Sequence, residues 1–422
     1  MNNLLLTSTK GKGMEKSELP KASNSEDGVD FISNMPDAIL LLILSRLLST
    51  EEVVRSSILS RRWKYLWTAV PTLHIRYRRE LKKTKFIEFV YWVLANITVN
   101  LDSFRLYCGD YYCMSTVWRW IHVAVRKNVK ELHLELHPNK LTDVFEMPHS
   151  LATCGSLEVL KLYLSARLLR LPTIMRFPAL RVLDLTYVDL EDNDLINNFL
   201  ESCPLLEELS LICCFMNELA LLRISNPNLK KLRIDNNENL IMCCGIKICC
   251  PKLVDMDLTG NIAYRFFFEC LDSLKVVVIQ PKLEGITTSV LFPGISRVEH
   301  LSIDLFFFLE CLYAARDPVL PNLKTLVIKT TMDAFTMDNF NKVLKYYPKL
   351  ESLKLIIKQD FDERYEWLDE AETREIMTSD VERVEFFEFN GEKPKLVIDW
   401  FEDILEMFFT WGDIGERFPR YL

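Results

Sequence analysis

Glycine is scarce in this chain, at 12 of 422 residues. So few glycines argue against phosphate-cradling loops, which need backbone approach without a Cβ. G-x-x-x-x-G-K-[ST], G-x-S-x-G and H-E-x-x-H are all missing, so the motifs of nucleotide, acyl-transfer and zinc-peptidase chemistry give no starting point. His133 and His137 flank Glu135, but alternate residues of a strand share one face, and such a trio reads as solvent contacts rather than ligands. No active site is expected. No apolar run approaches the ~20 residues of a membrane span, and residues 4–6 are too short a run for a secretory signal.

Cysteine is present, with 12 residues, but in adjacent pairs (Cys213-Cys214, Cys243-Cys244, Cys249-Cys250) rather than the C-x2-C pairs of zinc frameworks. Reduced, metal-free thiols acting as small hydrophobes are the expectation, with no cofactor. A net charge of −8 argues against a nucleic-acid partner. The local basic run Arg76 to Lys85 (RYRRELKKTK) reads as a solvated linker or helix face, with a nuclear-import signal as the alternative. The polar, aperiodic residues 1–29 read as a disordered tail.

From Asp30 to Trp67 the chain turns apolar: DFISNMPDAILLLILSRLLSTEEVVRSSILSRRWKYLW. Pro36 suits a first helical turn, where its missing N–H costs nothing. Ile39, Leu40, Ile43, Leu44 and Leu47 recur at helical spacing, and Leu41, Leu42 and Leu48 make the remaining surface apolar too, so two faces of one helix call for burial. Ser49 and Glu52 have the spacing of a capping box for a second helix. A third carries Leu59, Trp63, Leu66 and Trp67. Three short helices bury too little to stand alone, so one apolar face meets the rest of the chain or a partner.

These letters resemble the F-box of plant ubiquitin-ligase substrate receptors. The resemblance implies docking on a Skp-type adaptor, and through it on a cullin, by Met35, Pro36, Ile39, Leu40, Ile43, Leu44, Leu47, Leu59 and Trp63. Met35 stands where the family usually has Leu, a swap that conserves volume.

Further along, the phrase L-x-x-L-x-L recurs: VKELHL at Val129, LEVLKL at Leu157, LRVLDL at Leu180, LEELSL at Leu206, LKKLRI at Leu229, LVDMDL at Leu253, and on to LESLKL at Leu350 and VERVEF at Val381, with LDSFRL at Leu101 as a degenerate opener. The spacing is that of leucine-rich repeats, each giving one strand to a parallel sheet and a helix or loop to the other side. LINNFLESCP and NKVLKYYP read as such helices, and Pro204, Pro251 and Pro348 sit in one phase before the next strand. The array is similar to that of plant F-box/leucine-rich-repeat proteins, and the C-terminal VERVEFFEFNGEKPKLVIDWFEDILEMFF resembles the start of the FBD domain that often closes them.

The fold class is therefore α/β: an N-terminal three-helix F-box followed by a leucine-rich-repeat solenoid with a curved parallel sheet and helices and loops on its convex side. The expected divisions are a tail (1–29), the F-box (30–75), a linker and lead-in (76–128), the repeats (129–358), and an acidic segment with an FBD-like cap (359–422).

Residues between the leucines face outward along the sheet. They give Glu207 and Glu208, then Lys230, Lys231 and Arg233, then Asp255 and Asp257, then Lys275. This alternating ladder is either a set of exposed ion pairs or the surface that holds a target protein. Overall the family implies a substrate-recognition subunit of an SCF-type ligase, cytoplasmic or nuclear. A small-molecule receptor and a repeat scaffold without ligase role stand as alternatives.

Overall fold

The computed structural model describes residues 32, 35–77, 82–109, 114–137, 144–216, 218–237, 245–281, 291–314, 320–331, 347, 350–358 and 383–387. The expected tail, most of the acidic segment and FBD-like cap, and the NKVLKYYP helix lie outside these residues.

The chain opens with helices α1 (Asp37–Ser45), α2 (Thr50–Arg55) and α3 (Trp63–Leu66). Pro36 is the N-cap of α1 rather than its first helical residue. At α2 the Ser49 hydroxyl accepts from the Glu52 N–H at 3.3 Å, half of the capping box expected from S-x-x-E. Arg62 donates from Nε to Asp37 Oδ1 at 2.7 Å and also reaches the Met35 carbonyl, which fixes the start of α3 against the start of α1.

Parallel strands follow at repeat spacing: β1 (Thr72–Arg76), β2 (Ser103–Cys108), β3 (Glu131–Leu136), β4 (Phe145–Glu146), β5 (Val159–Arg170), β6 (Val182–Asp189), β7 (Glu208–Ile212), β8 (Leu222–Ile224) and β9 (Lys231–Asn236). They continue with β10 (Ile246–Cys249), β11 (Asp255–Gly260), β12 (Phe266–Glu269), β13 (Val276–Pro281), β14 (His300–Asp304), β15 (Thr325–Thr331), β16 (Ser352–Lys358) and β17 (Arg383–Phe387). The main sheet runs β1-β2-β3-β5-β6-β7-β9-β11-β13-β14-β15-β16-β17, with β4 beside β5. Its order follows the chain because each repeat stacks only on its neighbours. Each L-x-L pair points into the core: Leu132 and Leu134, Leu183 and Leu185, and Leu232 and Ile234 are all buried. The alternating residues form the open face.

Helices α4 (Lys83–Asn96), α5 (Met114–Arg126), α6 (His149–Ala152), α7 (Asn193–Glu201), α8 (Leu291–Gly294) and α9 (Leu305–Ala314) supply other connections. LINNFLESCP forms α7, whose N-cap Asp192 accepts from the Asp194 and Leu195 N–H groups. Cys250-Pro251, however, ends a strand and not a helix. In those repeats the connecting element is a second parallel sheet, β8-β10-β12, because Ile246 and Ile248 alternate at strand spacing with Lys247. Proline before the core strand marks the end of a connector without specifying which kind.

The sheet begins at Thr72, inside the segment read as F-box, and the expected linker holds α4, β2 and α5. The helical head is thus continuous with the array. Leu40, Leu44, Trp63, Leu66 and Trp67 belong to the same apolar core as the repeats, Trp67 stacks on Trp92 of α4 at 4.8 Å, and the Thr50 hydroxyl accepts from the His74 N–H of β1 at 2.8 Å. The basic run is divided as well, Arg76 ending β1 and Lys83 beginning α4.

Candidate functional site

The apolar residues of α1 separate into two faces by their distance along the helix. Leu40 and Leu44, four apart, point inward and are 0% and 1% exposed. Ile39, Ile43 and Leu47 repeat the spacing one residue back and are exposed, joined by Leu42 and Leu48 and by Ile58 and Leu59 from the turn before α3. Pro36 is exposed and Met35 half-buried against the core. Leu40, Leu44 and Trp63, also expected to meet the adaptor, have their side chains in the chain's own core. Exposed apolar side chains concentrated on an anchored helical head are a mark of protein association.

The charged ladder also separates, into two rows. Glu207, Lys230 and Lys275 precede their strands and lie at one end of the sheet, because the first x of L-x-x-L sits in the turn: Glu207 and Glu208 both donate their N–H to the Arg181 carbonyl. Here charges close on one another. Glu207 takes Lys230 and Arg181, each at 2.6 Å, and Glu299 takes Lys324 at 3.0 Å and Lys275 at 3.6 Å. The hydrogen bond from Lys230 holds the Glu207 carboxyl below the usual carboxylate range, and that from Lys324 does the same for Glu299. Glu208, Lys231, Arg233, Asp255 and Asp257 do lie on the open face, where Lys231 meets Glu208 at 3.3 Å and Arg233 meets Asp235 at 3.2 Å and Asp257 at 3.7 Å. Burial raises the Asp255 carboxyl, with Asp257 adding to the effect.

Sequence reasoning passed over a pocket nearer the head. Its volume is about 280 Å³ and it opens between β1 and β6 over Arg105, His133 and Lys161, walled by Tyr107, Glu135, Tyr163 and Asp184. The only signal in the sequence was a basic-type residue at the same strand position of four successive repeats, His74, Arg105, His133 and Lys161. Their register pairing appears only once the strands are stacked. His133, expected to be a solvent contact, is largely enclosed there. Burial first, then the Arg105 and Lys161 charges, lower its pKa to about 4.

His133 is therefore neutral near pH 7, and acid favours the unfolded chain, in which the ring protonates normally. Its contribution to stability is intact above about pH 6.5 and declines as pH falls toward 4, by about 2 kcal/mol once the partial exposure of the ring is discounted. Urea unfolding at pH 7 and pH 4.5 should show that His133→Asn loses about that much less than the unsubstituted chain across the interval.

Cys108, Cys154, Cys203, Cys213, Cys214, Cys250 and Cys311 are buried cysteines. Burial pushes the thiols of Cys203 and Cys214 up to about 12, which makes them inert. Cys243 and Cys244 lie outside the described residues. Among the described residues no group of three or more His, Cys, Asp or Glu is placed to hold a metal ion, and no helix is long and apolar enough to cross a membrane.

Two family models match the chain: the F-box domain over residues 32–74, and the LRR repeats of FBD-associated F-box protein At5g56370 over residues 117–256. Among Arabidopsis thaliana proteins, F-box/FBD/LRR-repeat protein At3g52680 is 36% identical over 216 residues, 50% of this chain and 47% of that protein. FBD-associated F-box protein At5g56370 is 28% identical over 387 residues, 86% of this chain and 85% of its own length. F-box/LRR-repeat protein At3g26922 is 30% identical over 282 residues, 65% of this chain and 90% of its own length. The helical head with its outward apolar stripe, the chain-ordered parallel sheet and these relatives agree, and the chain belongs to the plant F-box/LRR-repeat family.

Proposed function

We propose that this chain is the substrate-recognition subunit of an SCF-type cullin-RING ubiquitin ligase, a non-catalytic part that holds a Skp-type adaptor at one end and a target protein along the repeats. The observation that carries this reading is the stripe of Ile39, Ile43, Leu47 and Leu59, which the chain's own core leaves exposed on a head tied rigidly to the array. Rigid attachment suits a subunit that must present a bound target at a fixed distance from a ligase. The thiol-rich core suits a reducing compartment, the cytoplasm or nucleus.

Proximity labelling in plant cells tests the proposal, with and without proteasome inhibition. Adaptor and cullin should be labelled in both conditions, and at least one further protein should accumulate only under inhibition. Labelling that includes neither adaptor nor cullin would favour a scaffold without ligase role.

A further inference from the structure

The end of the sheet and its open face differ in how their charges are satisfied. At the end of the sheet Glu207 holds Arg181 and Lys230 at 2.6 Å and Glu299 holds Lys324 at 3.0 Å, with Lys275 farther off at 3.6 Å, the shorter three within or near the range of strong charge-assisted hydrogen bonds. Over the pocket between β1 and β6 the cations are held less closely. Arg105 approaches Glu131 at 3.5 Å and Lys161 approaches Asp184 at 3.6 Å, while Asp184 accepts a shorter bond, 2.9 Å, from the Thr186 hydroxyl. Both cations therefore keep N–H donors for something else. Between them lies His133, whose Nε2 is buried and has no hydrogen-bond partner among the described residues. In the strand register that ring stands directly between the Arg105 and Lys161 side chains, the two cations of the pocket.

Beside this basic row runs an aromatic one. Tyr107, His137, Tyr163 and Tyr187 form a chain of rings with centroids 5.0–5.5 Å apart, and the Arg76 guanidinium lies over Tyr107 at 4.4 Å. Tyr107 and Tyr163 follow Arg105 and Lys161 by two residues on their own strands. Two residues of strand span about 6.6 Å, which is also the distance between same-side side chains of an extended peptide.

Building on the receptor reading above, we infer that this pocket is where the target protein is read, by an extended segment whose Asp or Glu carboxylate sits over Arg105, His133 and Lys161. A second side chain of that segment, apolar or aromatic and two residues away, rests on Tyr107 and Tyr163. The charged ladder from Glu207 to Lys275, which neutralises itself, is then a structural feature of the array.

The test is a random-peptide display library panned on the full chain, with the Arg105→Glu/Lys161→Glu double variant and the neutral Arg105→Gln/Lys161→Gln pair in parallel. Both positions are partly exposed, and melting temperatures check that the variants fold. The wild-type chain should enrich Asp or Glu with an apolar or aromatic residue two positions away. The reversed variant should lose this consensus, and the neutral pair should bind the selected peptide at least about tenfold more weakly. Enrichment without an acidic position, or a consensus unchanged in the reversed variant, overturns the proposal. So does stabilisation of the wild type by citrate with no peptide enriched, since it would assign the pocket to a free small anion. Capture of recombinant Skp-type adaptor by the same preparations reads the receptor role separately. Retained adaptor with no acidic consensus defeats this inference alone, whereas lost adaptor binding by the folded wild type defeats the receptor reading.

Discussion

Ile43→Asp should abolish capture of a Skp-type adaptor without unfolding the chain, whereas the neighbouring Leu44→Asp should unfold the helical head. The two positions are one residue apart, and their side chains point to opposite surroundings. Ile43 is 44% exposed on the outward stripe, and Leu44 is 1% exposed in the core shared with Trp63 and Trp67. Removing an apolar side chain from an interface costs roughly 1.5–3 kcal/mol and desolvating an unpaired carboxylate adds to it, so Ile43→Asp is worth at least about a hundredfold in affinity. At Leu44 the same carboxylate enters a packed interior, with a loss of more than about 4 kcal/mol. Adaptor affinity by calorimetry and thermal melting of each variant check the pair. Equal behaviour of the two would mean that the burial pattern of α1 is wrong.

Gly260→Ala is expected to be the most destabilising single methyl addition among the described glycines. Gly260 ends β11 with φ +84°, and a Cβ there would lie 2.6 Å from the backbone of Asn236 and Asn237 at the end of β9. That contact is backbone against backbone, so no side chain can turn aside. The two strand ends are also held together, Asn236 Nδ2 donating to the Asn261 carbonyl at 2.8 Å and the Asn261 N–H to the Asn236 carbonyl at 3.2 Å. A left-handed non-glycine residue costs roughly 1–2 kcal/mol and forced overpacking another 1–3, for a total of about 2–5 kcal/mol. Gly155→Ala is the control, since a Cβ there meets nothing within 4 Å. Because a repeat array is stabilised largely through contacts between neighbours, hydrogen exchange should report the damage first in β9 and β11.

The head and the array were legible in the sequence because each rests on local periodicity. L-x-x-L-x-L specifies a strand with one buried face whatever surrounds it, and the core leucines of β3 through β15 are buried as that pattern requires. Two apolar faces on α1 were legible too. Which of them the chain keeps for itself was not, because Leu40 and Ile39 are equally apolar and only the packing of Trp63 and Trp67 decides. The pocket was less visible still. Arg105, His133 and Lys161 are 28 residues apart in sequence and become neighbours only through strand register. The ladder from Glu207 to Lys275 stood out because its charges are adjacent in sequence, yet adjacency is also what lets them neutralise one another.

The most direct measurement of the receptor role is the mass, in solution, of the full chain mixed with a recombinant Skp-type adaptor, followed by addition of a cullin. The expected result is a one-to-one complex with the adaptor that recruits the cullin, formed equally by the Arg105→Glu/Lys161→Glu variant and lost in Ile43→Asp. A folded wild-type chain that stays alone in the presence of excess adaptor would contradict it.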